Sequence, residues 1–235
     1  MKPFIQKFGI TIYLLILMLH LFAQLLGYTS IQYASKLVLL PLLMLFFYVQ
    51  PFFATAAKSK YLILFGLFGS FLGDAFLLSD ALFIPGMIAF MTTHIFNIIF
   101  FSKIYGLKQP KSTVFKVSKF LLLSFCWFIY FQLKTAIGPL IYPILVYMAL
   151  ICLAALMAIH VSNNKSTKII ANIFWTPGML FFIASDAVLA FNKFYWSAQS
   201  PIDNIGIVTM ATYGIAQLLL VKGFQLYFAK QSTTA

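Results

Sequence analysis

Apolar residues occur in runs of about 20, separated by short polar gaps. A helix of that length crosses the ~30 Å hydrocarbon core of a bilayer. The runs fall at about 8–27, 35–53, 61–79, 83–102, 117–133, 139–160, 170–191 and 204–228. The pattern predicts an all-α polytopic membrane protein: a bundle of about eight transmembrane helices forming a single domain over residues 1–235. Only a tight turn around Asp80 and Pro85 separates the third and fourth runs. The first run follows Lys2 and Lys7, as a signal peptide's would, but its apolar core is too long. No small-x-small cleavage site follows Leu26, so the run reads as a retained helix.

Composition supports this reading. Of 235 residues, 63% are hydrophobic and 9% charged, with 28 Phe and no Glu or Arg. Soluble domains carry about 25% charged residues, so water is excluded as the solvent of most of this surface. The net charge of +12 comes from sixteen Lys, mostly in the short gaps between apolar runs. They lack the interleaved aromatic pattern of a nucleic-acid groove and read as a topology signal. Thirteen lie on the N-terminal side of the predicted layout, and three, Lys36, Lys134 and Lys193, on the other. That bias predicts cytoplasmic N- and C-termini, as in a bacterial inner-membrane protein. The longest loop, about 103–116, is basic and suits anionic headgroups. Tyr61, Trp196 and Tyr227 lie near run ends, where aromatic rings anchor at the interface. Cys126 and Cys152 lie inside apolar runs, without metal-site spacing, and read as packing residues.

The candidate chemistry is carried by the few polar residues inside the runs. Of the four acids, Asp80 and Asp203 fall in predicted loops, whereas Asp74 and Asp186 fall inside spans. A carboxylate there costs on the order of 3 kcal/mol on insertion scales, which makes each a functional candidate. The alternative is a protonated Asp that only bonds a neighbouring helix. The two share a small-Asp-Ala-x-Leu setting: Gly73-Asp74-Ala75-Phe76-Leu77 and Ser185-Asp186-Ala187-Val188-Leu189. They lie four spans apart, on helices of the same direction and at similar depth, which suggests a four-plus-four repeat. Gly66/Ser70 and Gly69/Gly73 are small-xxx-small spacings that allow close helix approach. His94 and Asn97 share a helical face, as do Tyr213 and Gln217. His20 and His160 complete the three histidines, but no His-x₃-His or Cys/His spacing supports a metal site. No Walker loop, nucleophile elbow or dinucleotide fingerprint occurs. Neither a metal nor a cofactor is expected.

Three ordered blocks carry a family likeness. The first runs Leu72-Gly73-Asp74-Ala75-Phe76-Leu77-Leu78 and continues into Gly86-Met87-Ile88-Ala89-Phe90-Met91-Thr92-Thr93-His94. The second is Leu180-Phe181-Phe182-Ile183-Ala184-Ser185-Asp186-Ala187-Val188-Leu189-Ala190. The third is Tyr213-Gly214-Ile215-Ala216-Gln217, ending at Gly223. On these residues the chain resembles the lysoplasmalogenase, or YhhN-like, family of membrane proteins. It departs at Asn97, where the family often has Tyr. The resemblance implies hydrolysis of the vinyl-ether bond of a lysoplasmalogen within the bilayer, giving a fatty aldehyde and a glycerophospho-ethanolamine or -choline. It also implies functional roles for Asp74, His94, Asp186, Tyr213 and Gln217. From the residues themselves, Asp74 and Asp186 read as the catalytic pair, and Asn97 and Ser185 join His94, Tyr213 and Gln217 as supporting candidates. Vinyl-ether hydrolysis needs an acid and a base, which two carboxyls in one low-dielectric pocket supply. The competing readings are a proton-coupled transporter and a non-catalytic lipid-binding protein, since intramembrane Asp and His mark those too.

Overall fold

The computed structural model describes residues 2–51, 59–196 and 199–232. Among them eight long helices run back and forth: α1 (Lys2–Leu25), α2 (Thr29–Tyr48), α3 (Ser59–Phe76), α4 (Phe83–Ile104), α5 (Thr113–Leu133), α6 (Ile141–Val161), α7 (Lys168–Trp196) and α8 (Ile205–Ser232). Seven are long and apolar enough to cross a membrane. The eighth, α3, has 18 residues and includes Lys60, Asp74 and three glycines. It packs between α2 and α4 as part of the same bundle. The fold is thus the expected polytopic helical bundle of an integral membrane protein. Helix α5 starts at Thr113, a few residues earlier than its apolar run, because Ser112 caps it by accepting from the Phe115 backbone N–H. Of the sixteen lysines, Lys58 lies outside the described residues.

Seven helices close a ring in the order α1, α2, α3, α4, α6, α7, α8, with α8 returning to α1. Helix α5 flanks α6 and the last turns of α7. Its outward side chains, such as Phe120 and Trp127, are exposed as lipid contact requires. The tightest pairing is α3 with α4. A Cβ on Gly69 would lie 2.9 Å from the Ala89 carbonyl, and one on Gly73 would lie 2.5 Å from the Phe90 ring. Without side chains at these two positions the helices approach closely, which lets them pack in lipid without a hydrophobic driving force.

The two ends of the bundle differ. At the end carrying both described termini, Gln6 donates to the Val49 carbonyl and Gln225 to Gln50. Lys230 donates to the Ser166 carbonyl there, and His160 bonds the Gly106 carbonyl. Above this end Phe100, Phe101, Trp175 and Phe224 pack edge-to-face and tilted into a buried plug. At the opposite end Gly27, at φ +75°, turns α1 into α2. A 3₁₀ turn, Asp80–Leu82, leads from α3 into α4.

One helix is less regular than its apolar run suggests. Helix α7 widens into π turns at Ala171–Trp175 and Phe191–Trp196, on either side of the α-helical Thr176–Ala190. The first immediately precedes Thr176-Pro177. Proline brings no N–H and clashes with the carbonyl one turn back, and a widened turn relieves both. Pro85 and Pro143 occupy first helical turns, where no N–H is needed.

Candidate active site

The polar residues of the spans converge near the end of the bundle that carries the α1–α2 turn. Asp74 lies in the last turn of α3, closer to the helix end than its apolar run implies, yet only 3% exposed. Its Oδ2 accepts from the Tyr213 hydroxyl of α8 at 2.8 Å. Its Oδ1 is 3.9 Å from Lys36 Nζ of α2. Asp186, half-buried on α7, accepts from the Tyr147 hydroxyl of α6 at 2.5 Å. Each acid is therefore held by one tyrosine from another helix.

His94 joins the second pair. Its Nε2 lies 3.3 Å from the Tyr147 oxygen. That hydroxyl's single proton goes to Asp186, so the ring donates to it through Nε2–H. The three groups form one line: His94 to Tyr147 to Asp186. The other imidazole nitrogen, Nδ1, is buried with no hydrogen-bond partner among the described residues. Phe182 stacks edge-on against both His94 and Tyr213, and Phe90 edge-on against Tyr213, which fixes the rings against one another.

The remaining expected residues sort into contacts of different kinds. Gln217 donates to Ser70 Oγ at 3.0 Å; Ser70 in turn meets Thr93 Oγ1 at 3.1 Å, and Thr93 donates to the Gly66 carbonyl. This knot ties α3, α4 and α8 together one turn below Asp74. Ser185 donates to the Thr209 carbonyl, fastening α7 to α8 beside Asp186. Asn97 is buried a turn beyond His94 and lines neither of the two cavities described next.

Asp74 and Asp186 line the same cavity, about 120 Å³ in volume, together with Lys36, Tyr213 and Ser185. At its mouth Lys193 donates to Asp80 at 2.6 Å. Asp186 also borders a second cavity of about 100 Å³, walled by apolar side chains of α4, α5, α6 and α7 such as Met87, Ile129 and Ile144. Leu77, Phe83 and Phe90 border both, so the two spaces adjoin at Asp186. Cys126 and Cys152, read as packing residues, line the apolar cavity with their sulfurs 3.0 Å apart. The three histidines stand in separate settings: His20 against Ser35, His94 against Tyr147, and His160 against Gly106.

Two residues of the site were not singled out from sequence. Tyr147 sits in the most apolar helix with no polar neighbour at helical spacing, and 11 other tyrosines dilute any signal from its type. Lys36, at the start of the second apolar run, was legible only as one of the three lysines on the far side of the layout.

The fold and this pair of acids on one cavity define a polytopic helical membrane protein with a polar centre between its helices. The YhhN family profile matches residues 31–224. The chain belongs to the YhhN family. It is 29% identical over 175 residues to the human protein named lysoplasmalogenase TMEM86A, covering 72% of this chain and 67% of that one. No solved structure matches it significantly.

Proposed function

We propose that this protein is a lysoplasmalogenase: a membrane hydrolase that cleaves the vinyl-ether bond of a lysoplasmalogen, with Asp74 and Asp186 as the acid and base. The observation that carries this reading is the shared cavity. Two carboxyls face one space, and Asp186 stands where that space meets an apolar cavity fit for an alkenyl chain.

The chemistry follows from the bond. A carboxylic acid protonates the alkene carbon that does not bear oxygen, leaving an oxocarbenium ion at the carbon that does. The partner carboxylate faces that cation and takes a proton from the incoming water. The hemiacetal so formed breaks its carbon–oxygen bond, and the glycerol oxygen leaves with a proton. One water is consumed; a fatty aldehyde and a glycerophospho-alcohol are released. Tyr213 and Tyr147 hold the carboxyls in place, and the His94–Tyr147–Asp186 line offers a route for proton exchange. The relative's name points the same way.

Transport is weighed down by the lower half of the bundle. A translocation path needs polar groups strung across the membrane. Below His94 and Gln217 the interior is filled by the plug of Phe100, Phe101, Trp175 and Phe224.

The test is direct. Purified protein in detergent is given a lysoplasmalogen and, separately, a lysophospholipid with an ester in place of the vinyl ether. Aldehyde release from the first alone supports the reading. No aldehyde from either overturns it.

A further inference from the structure

Beyond the acid pair, at the same end of the bundle, lies a third space. A vestibule of about 260 Å³ is lined by His20 and Gln24 of α1, Gln32, Tyr33 and Lys36 of α2, and Asp80. It shares Lys36, Leu77, Asp80 and Met210 with the cavity that holds the acids. Two of its buried polar atoms have no partner among the described residues: His20 Nε2, on a side chain 1% exposed, and Gln24 Oε1. Buried polar atoms in native folds are almost always paired, and these two are acceptor or donor positions that the described protein groups leave unused.

The hydrogen bonds say what kind. His20 Nδ1 lies 3.1 Å from the Gln32 backbone carbonyl, which can only accept, and 2.9 Å from Ser35 Oγ. Nδ1 therefore carries the proton. No ion pair reaches His20 among the described residues, and an unpaired charge is costly to bury. The ring is then neutral, and Nε2 is a bare acceptor. The amide oxygen of Gln24 is a second acceptor. Both ask for a donor.

The order of features along the connected spaces matches a lysophospholipid read from tail to head. The apolar cavity comes first, then Asp186 and Asp74, then the Lys36 ammonium, then two orphaned acceptors. We propose that Lys36 takes the phosphate of the head group, and that His20 and Gln24 take the N–H groups of a primary ammonium. The preferred substrate is then an ethanolamine rather than a choline lipid. A trimethylammonium has no N–H to give and would leave both acceptors unsatisfied. This inference rests on the vinyl-ether reading above and adds the head-group choice to it.

The test compares kcat/KM for aldehyde release from ethanolamine and choline lysoplasmalogens. The native protein is expected to favour ethanolamine by about tenfold or more, the worth of a charge-assisted hydrogen bond. His20→Asn keeps a donor to the Gln32 carbonyl and deletes Nε2, and Gln24→Met deletes the second acceptor. Each should bring the ratio toward one. Lys36→Met should weaken both lipids together and leave the ratio standing. A native ratio near one, or a preference that survives both acceptor substitutions, overturns the proposal while leaving the hydrolase reading intact. If neither lipid yields aldehyde, the hydrolase reading fails, and the vestibule is judged by binding alone. Glycerophosphoethanolamine should then raise the melting temperature of the native protein but not of the His20→Asn and Gln24→Met variants, and glycerophosphocholine should not. Equal effects of the two compounds would overturn it.

Discussion

At the scale of single residues, the question is whether the intramembrane acids do chemistry or hold helices together. Asp74→Asn and Asp186→Asn separate these. Asn keeps the shape and can still accept from Tyr213 or Tyr147, but it neither yields an acid proton nor becomes an anion. We expect each to lose at least ~10²-fold in turnover, the low end for general acid–base groups, with little change in melting. Removing a potential charge from hydrocarbon costs no insertion energy. Asp203→Asn, in an exposed turn, is the control and should act mildly. Full activity in both acid variants would sink the pair mechanism. Parallel loss of activity and stability would assign them to packing. Tyr147→Phe asks a finer question: it removes the hydroxyl linking His94 to Asp186 and leaves the ring. Turnover should fall about tenfold or more while the alkenyl substrate's KM changes little, since the apolar wall is kept.

The acids were legible in the chain because a charge inside an apolar run is expensive and therefore conspicuous. Tyr147 was not, since a tyrosine among apolar residues is ordinary in a membrane helix. Its partner, Asp186, is 39 residues away. Gln217 and Ser185 were expected beside the chemistry; in this structure both also tie helices together, Ser185 while lining the cavity of the acids. Spacing on one helix says which side chains share a face, but not which neighbour that face meets.

At the scale of elements, the α3–α4 pair positions the site. Gly69 faces the Ala89 carbonyl at a distance that leaves no room for a methyl group, and a backbone atom cannot swing aside. Gly69→Ala should push the helices apart and cost about 1–3 kcal/mol, the range for overpacking. The measurement is thermal melting in detergent. Activity should fall as well, because α3 carries Asp74 and α4 carries His94 and Phe90. A Gly69→Ala protein that melts and turns over like the native one would show that this contact is not what sets the two helices. The small-xxx-small spacing announced a close approach, although the partner helix emerged only from the packing. The π turns of α7 were not foreseen: hydropathy is blind to a one-residue change in the hydrogen-bond ladder, and Pro177 alone did not say how the helix would absorb it.

At the scale of the whole molecule, helices running alternately up and down put both described ends of the chain on one face of the membrane. The lysine bias predicts that this face is cytoplasmic. Enzyme-reporter fusions after residue 232 and within the 199–204 loop test it. A periplasm-dependent reporter should be silent at the first and active at the second, and the reverse pattern would overturn the orientation. By itself the sequence determined the solvent, the number and approximate limits of the helices, and the rarity that marks Asp74 and Asp186. Each of these follows from the cost of placing polar atoms in hydrocarbon, a local property of the chain. The tertiary structure decided which tyrosine holds which acid. It brought Lys36 beside Asp74, and it set an apolar cavity, an acid pair and a polar vestibule against one another through shared walls. Those arrangements depend on the ring order of the helices and on their rotation about their own axes. Both are set by side-chain packing between segments far apart in sequence, since lipid is too uniform a solvent to dictate which apolar face turns inward.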